Sequence, residues 1–255
     1  MSRFHTFADM QHETLIYGLR AVIEAVQAGQ EMDKVFMQKG LQGPLFKQLE
    51  GILRLNRIPV SYVPYEKLNK LTRQNHQGVV AQIAPVTFQP LESTIDTLIA
   101  SEVNPLILLL DEVSDVRNFG AILRTAECVG VHAVIFPDKG SAPVNADTVK
   151  TSAGAVFNIP LIKVAHLKDA IYYLQASGIS VIAATEKTES DLFAVNMSGP
   201  SAILMGSEGA GISPALLKLV EHKAAIPMKG EIGSLNVSVA AAVFLYEALR
   251  QRLSQ

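Results

Sequence analysis

The chain has 255 residues, 49% of them apolar and 18% charged, which fits a compact α/β protein of one large or two small domains and excludes a disordered one. Its net charge of −2 gives no whole-chain signature of a polyanion binder, and no apolar run approaches the ~20 residues that span a bilayer. The single Cys128 cannot form an intrachain disulfide and, beside Ala126 and Val129, reads as a small buried hydrophobe. Six histidines without ligand spacing lead us to expect no metal. The segment from Met1 to Met10 carries an acid and lacks a signal-peptide core, so we expect a cytoplasmic protein with no membrane contact.

Charge is unevenly distributed: residues 1–90 hold ten Lys/Arg against seven Asp/Glu, whereas residues 91–255 hold twelve against seventeen. That places any polyanion contact on the N-terminal part. Elements there are short and alternate, with helices over 21–26 and 45–55 and strands over 35–37, 60–63 and 79–83. They make a small α/β or α+β domain over residues 1–84. Two prolines in Ala84-Pro-Val-Thr-Phe-Gln-Pro90 break the pattern, so residues 85–104 read as a linker and a connecting helix carrying Ile95, Leu98 and Ile99.

From residue 105 to 255 the pattern is βαβ. Leu106-Ile-Leu-Leu-Leu110 is a continuous apolar strand, as a parallel sheet covered on both faces demands. A helix from Asn118 ends at Gly130, and strands follow over 132–136, 159–164, 180–184 and 202–205. Helices are expected over 166–177, 213–221 and 236–252, with Ile226 and Met228 alternating like a strand end. Periodicity thus predicts an open parallel sheet with helices on both faces.

Three segments carry the chemistry. In Asn118-Phe-Gly-Ala-Ile-Leu-Arg124 the asparagine has the makings of a helix N-cap, Gly120-Ala121 allows a close backbone approach, and Arg124 lies off the apolar face. In Leu204-Met-Gly-Ser-Glu-Gly-Ala-Gly-Ile-Ser213 a strand enters a glycine-rich turn and then a helix started by Pro214. Such a turn exposes backbone N–H groups, but Glu208 inside it repels phosphate. In Ile226-Pro-Met-Lys-Gly-Glu-Ile-Gly-Ser-Leu-Asn236 a loop leads to an almost wholly apolar helix opened by Ser234 and Asn236, which serve at least as caps. The dinucleotide fingerprint Gly-x-Gly-x-x-Gly after a strand, and the Walker loop, are both absent.

These segments resemble the three motifs of the SpoU/TrmH family, the RNA 2′-O-ribose methyltransferases with a knotted C-terminal fold. The resemblance covers nearly the whole chain and is strongest from residue 106 onward. It implies an α/β fold in which a parallel-sheet domain with a trefoil knot follows a small ribosomal-protein-like RNA-binding domain. Ile16-Tyr-Gly-Leu-Arg-Ala-Val22 and His76-Gln-Gly-Val-Val80 resemble that small domain in the ribosomal-RNA branch, though Arg20 stands where the branch commonly has histidine or asparagine. The implied catalytic residues are Asn118, Arg124, Glu208, Ser234 and Asn236. S-adenosylmethionine is the implied cofactor, held by Gly206, Ile226 and Leu235 with backbone groups near Thr185, Leu204 and Met228. RNA, most of all ribosomal RNA, is the implied substrate, with Arg20, Arg54, Arg57 and Arg73 as candidate contacts, and a homodimer is the implied assembly.

The expected reaction is methyl transfer to a ribose 2′-hydroxyl, of a guanosine in 23S ribosomal RNA. A guanidinium is effectively always protonated, so Arg124 is expected to stabilise the developing alkoxide rather than act as base, with Glu208 fixing the geometry of Arg124 or of the hydroxyl. Two alternatives stay open at this point: a transfer-RNA ribose methylase, and a non-catalytic RNA-binding module.

Overall fold

The computed structural model describes residues 15–101, 103–231 and 233–254. The expectation about a leader concerns Met1 to Met10 and lies outside them. The chain divides into two compact units, one up to Thr87 together with Pro143–Asp147, the other made of Phe88–Ala142 and Thr148–Gln255.

In the first unit, β1 (Leu15–Tyr17), α1 (Leu19–Gln27), β2 (Met32–Gln38), α2 (Pro44–Leu55), β3 (Val60–Val63), α3 (Tyr65–Leu71) and β4 (Val79–Ile83) build a mixed sheet of order β1-β4-β2-β3. β1 and β2 run antiparallel to β4, while β2 and β3 are parallel. Strand alternation divides the side chains between two faces. Val35, Met37, Val79 and Ala81 pack with Val22, Ile23 and Val26 of α1 and Leu49 and Leu53 of α2. Val80 and Phe36 point the other way, onto Leu68 and Leu71 of α3. The short β1 and α3 escape a sequence reading because neither is long enough to display a period.

The second unit holds α4 (Leu91–Ala100), β5 (Leu106–Leu110), α5 (Val116–Val129), β6 (Ala133–Pro137), α6 (Ala146–Thr151), β7 (Leu161–Val164), α7 (Leu167–Ala176), β8 (Ser180–Ala184), β9 (Ser201–Met205), α8 (Pro214–Leu217), β10 (His222–Ala224) and α9 (Val237–Leu253), of which the first two residues of α6 belong to the other unit. Its sheet has the order β10-β8-β9-β5-β6-β7, and all five pairings are parallel. All residues of β5 and β9 are buried, as strands covered on both faces must be. α4 joins this core through Leu91 and Ile95.

The chain moves from β5 to one side and, after β7, crosses to the other, so β5 and β9 flank the point where strand order reverses. Ligands bind at the carboxyl edge of such a reversal. Leu110 and Met205 are register partners there. At the opposite edge Arg252, near the end of α9, donates to the carbonyls of Asn104, Pro105, Gly199 and Met197 and to Ser201 Oγ. One guanidinium thus ties the end of α9 to the starts of β5 and β9.

Four expectations change. The helix near Asn118 begins at Val116 with Asp115 as its cap, because the Asp115 carboxylate accepts the N–H groups of Arg117 and Asn118. No strand is assigned at Ile226 and Met228, since pairing with β8 ends at Ala224. The helix begun by Pro214 stops at Leu217. Cys128 is exposed: two residues beyond Ala126 it turns about 200° from the packed face.

Candidate active site

Three loops at the carboxyl edge of the β5/β9 pair meet in one hydrogen-bonded cluster. The first follows β5. The Asp115 cap fixes the opening turn of α5, and side chains in a helix lean toward its N-terminus, so Asn118 projects back over the sheet edge. Gly120 behind it is obligatory for packing, because a Cβ there would collide with the Thr151 side chain.

The second loop follows β9. Ser207 and Gly211 exchange both backbone hydrogen bonds, at 3.1 and 3.0 Å, closing a hairpin that carries Glu208 at its tip. Gly211 sits in the left-handed region at φ 67°, and a Cβ on Gly206 would collide with the Gly211 carbonyl and the Ile212 nitrogen. Asp111, buried at the end of β5, anchors the exit: its N–H donates to the Met205 carbonyl at 2.8 Å and its Oδ2 accepts from the Ser213 N–H at 2.8 Å. Sequence reasoning missed Asp111, which reads there as the polar end of an apolar strand.

The third loop ends at Asn236, the N-cap of α9. Asn236 Oδ1 accepts from the Ser238 N–H at 2.9 Å and from its hydroxyl at 2.6 Å. That cap turns Nδ2 inward, where it donates to Glu208 Oε1 at 2.8 Å and Asn118 Oδ1 at 3.1 Å. Asn118 Nδ2 donates to Glu208 Oε2 at 2.9 Å. Each carboxylate oxygen therefore accepts one amide N–H, and the two asparagines orient Glu208 from both sides.

Of the five expected catalytic residues, Asn118, Glu208 and Asn236 form this cluster. Ser234 lines the adjoining cleft without a bond to them. Arg124 does not join. It is exposed on α5, six residues beyond Asn118, and its side chain makes no hydrogen bond or ion pair among the described residues. The expected contact between Glu208 and Arg124 is replaced by the two asparagine amides.

The cleft, of about 270 Å³, lies between the hairpin, the Ile226–Met228 stretch, the start of α9 and the segment after β8. Thr185, Gly206, Ile226, Met228 and Leu235 line it, whereas Leu204 does not: its side chain is buried in the sheet core, in register with Leu109. Met228 and Leu235 remain 39% and 38% exposed, and Phe244 lies among the lining residues. These apolar side chains, with backbone polar groups of the hairpin beside them, fit the purine and sulfonium ends of S-adenosylmethionine better than they fit a phosphate. Glu186 and Lys187 also line the cleft and were not anticipated from the sequence.

The candidate RNA-contact arginines do not form one surface. Arg20, Arg54 and Arg57 are exposed on the α1/α2 side of the first sheet, and Arg73 is exposed beyond α3 on the other side. On the α3 side the ammonium groups of Lys34 and Lys67 lie 5.6 and 6.0 Å from the centre of the Phe36 ring. Among the described residues no group of three or more His, Cys, Asp or Glu is placed to hold a metal, and no helix is long and apolar enough to cross a membrane.

Residues 105–246 match the SpoU rRNA Methylase family, and residues 15–89 match the RNA 2′-O ribose methyltransferase substrate-binding family. The chain is 36% identical to the 23S rRNA (guanosine-2′-O-)-methyltransferase RlmB of Vibrio parahaemolyticus, over 94% of this chain and 97% of that protein. It is 35% identical to the protein of the same name from Escherichia coli, over 93% and 98% of the two chains. The SpoU methyltransferase AviRb of Streptomyces viridochromogenes, solved with its cofactor AdoMet, superposes with a TM-score of 0.59 at 26% identity, over 94% of this chain and 91% of that one. An AdoMet-bound rRNA methyltransferase from Sinorhizobium meliloti gives 0.58 at 28% identity, over 93% and 87%. By sequence, by its parallel sheet and by the solved structures it resembles, this chain belongs to the SpoU rRNA methylase family.

Proposed function

We propose that this protein methylates the ribose 2′-hydroxyl of a guanosine in 23S ribosomal RNA, with S-adenosylmethionine in the cleft beside Glu208. The observation that carries the reading is the Asn118–Glu208–Asn236 cluster at the rim of that cleft. When bound, S-adenosylmethionine supplies a methyl group on a sulfonium cation. The chain must orient a weakly acidic hydroxyl for in-line attack and manage its proton. Glu208, held by two amides, accepts a hydrogen bond from the ribose hydroxyl, and Asn118 and Asn236 fix where that carboxylate stands. Thr185, Gly206, Ile226, Met228 and Leu235 hold the cofactor, with Leu204 supporting them from the core, and Ser234 closes the mouth of the cleft.

Arg124 takes its part from a second copy of the chain. α9 carries an outward stripe of Val239, Val243, Tyr246, Arg250 and Leu253 at alternating spacings of four and three, and Val239, Tyr246 and Leu253 are 49%, 53% and 77% exposed. α5 packs beside it with Arg124 and Cys128 on its own exposed side. A homodimer joined through this pair of helices covers the exposed Val239, Tyr246 and Leu253 and carries Arg124 toward the partner's cluster, where a fixed cation stabilises the alkoxide. The return of α9 from the edge strand β10 to the middle of the sheet is, in our reading, the closing pass of a trefoil knot. The domain limits we assign are residues 1–84 for RNA binding, 85–104 as connection and 105–255 for catalysis, in a cytoplasmic enzyme.

Transfer RNA is the second reading, because a Bacillus subtilis relative, 31% identical over 95% of this chain, is named a putative TrmH family tRNA/rRNA methyltransferase. Ribosomal RNA is favoured by the full-length similarity to the two RlmB proteins. An intact polar cluster argues against a module that only binds RNA. Mass-spectrometric mapping of ribose methylation in ribosomal and transfer RNA, with and without the protein, decides: loss of one 23S guanosine methyl supports the proposal, and loss confined to a transfer RNA overturns the substrate while keeping the chemistry.

A further inference from the structure

The hairpin that carries Glu208 has a second side. Its residues Ser207 to Ala210, with Val237, line the cofactor cleft on one side and a separate cleft of about 320 Å³ on the other. The far wall of this second cleft is the β5–α5 loop, with Ser114 and Asp115, and Asn118 of the polar cluster opens onto it. Ser207 and Gly211 close the hairpin on itself, and Glu208 at its tip lines both clefts.

In-line methyl transfer requires the attacking oxygen and the leaving sulfur on opposite sides of the methyl group. With the methyl donor in the cofactor cleft, the nucleophile's sugar reaches Glu208 from the adjoining second cleft, and the two meet at the hairpin tip. Carboxylates on its walls exclude a phosphate from the interior and suit a flipped-out nucleoside with N–H donors on its edge. Asp115 is placed to read that edge. Its Oδ1 alone accepts both cap N–H groups, at 2.8 and 3.0 Å, and Oδ2 has no partner among the described residues. These cap bonds, first that from Asn118, hold the carboxyl below the ordinary aspartate range, so it is ionised and acceptor-only at neutral pH.

We propose that the cleft between the Glu208 hairpin and the Ser114–Asp115 loop receives the ribose and base of the target nucleotide, and that Asp115 Oδ2 accepts a hydrogen bond from the base. Guanine sets two donors, N1–H and its exocyclic amine, side by side on that edge, whereas adenine sets its amine beside a bare acceptor at N1 that a carboxylate repels, so the Asp115 carboxylate favours guanine. This rests on the methyltransferase reading above and adds the place and the chemistry of nucleotide selection.

The test uses the full-length protein and 23S RNA fragments that carry guanosine, inosine or adenosine at the mapped position. Asp115→Asn keeps an equivalent helix cap but turns the second oxygen into a donor. Its single-turnover rate on guanosine RNA is expected to fall on the order of tenfold or more, and its preference for guanosine over adenosine to shrink. Ser114→Trp, at an exposed position on the far wall, is expected to fill the cleft and abolish transfer. Melting temperature and S-adenosylmethionine affinity should stay at wild-type values in both. Wild-type rate and selectivity in Asp115→Asn, with activity retained in Ser114→Trp, overturns the proposal. So does weakened cofactor binding in either variant, because the space would then belong to the cofactor site. An inactive wild type on every RNA sinks the methyltransferase reading as well, so the two failures are told apart by the first lane.

Discussion

Asn236 holds two jobs in one side chain, and they separate experimentally. Its Oδ1 caps α9, while its Nδ2 donates to Glu208 at 2.8 Å. Asn236→Ser keeps a competent cap, so the melting temperature should move little. The freed carboxylate lone pair is exposed and water satisfies it, yet its orientation is lost. A hydrogen bond to a charged group contributes about 1.5–3 kcal/mol, and exposure argues for the lower end. If that orientation serves the transition state, the single-turnover rate falls about tenfold. Asn236→Asp also caps the helix but sets a second carboxylate at the 2.8 Å contact. At a water-like dielectric the repulsion is about 1.5 kcal/mol, which brings the expected rate loss to roughly 100-fold at neutral pH. The defect should shrink as pH falls and the pair shares a proton. Single-turnover methylation against pH, beside thermal melts of the three proteins, measures all of this. An aspartate variant that matches or exceeds the serine variant at neutral pH would refute the idea that Nδ2 acts through Glu208.

Three further outcomes follow from particular contacts. Gly206→Ala should displace the hairpin, because its new methyl meets the Gly211–Ile212 backbone; titration calorimetry should show cofactor binding weakened tenfold or more, and wild-type affinity would contradict the packing. Arg124→Ala and Glu208→Ala homodimers should both be inactive, yet a mixed dimer of the two should recover about half of wild-type activity, since one of its two sites is then whole. A dead mixed dimer places Arg124 in its own protomer's site or outside the chemistry. Finally, burial and the nearby Arg252 charge push His132 below its ordinary value of 6.5, and the Leu106 N–H donates to its Nδ1 at 3.1 Å. A depressed folded pKa means this stability is present above about pH 6.5 and is lost as pH falls through the lower folded value. Urea midpoints between pH 7 and 5 should therefore drop more for the wild type than for His132→Gln.

Elements whose stability is local or whose pattern is long were legible from the residues alone. Leu106–Leu110 could only be a strand covered on both faces, and Gly130 could only end its helix economically, in the left-handed conformation at φ 81°. The sequence also marked Asn118, Glu208 and Asn236, because polar residues among glycines at the end of an apolar strand or the start of an apolar helix have few structural uses. What those residues touch depends on packing between distant parts of the chain. Asn118 and Asn236 are 118 positions apart in the chain, and their meeting depends on α9 packing against α5 and β9, which no local period encodes. In the same way packing set Arg124 apart from Glu208, whereas the Asp115 cap is a local contact with Arg117 and Asn118 that an acidic residue at that place already signals. A helix face is legible in sequence only relative to its own axis, and the sheet and loops packed around it settle which side becomes a site.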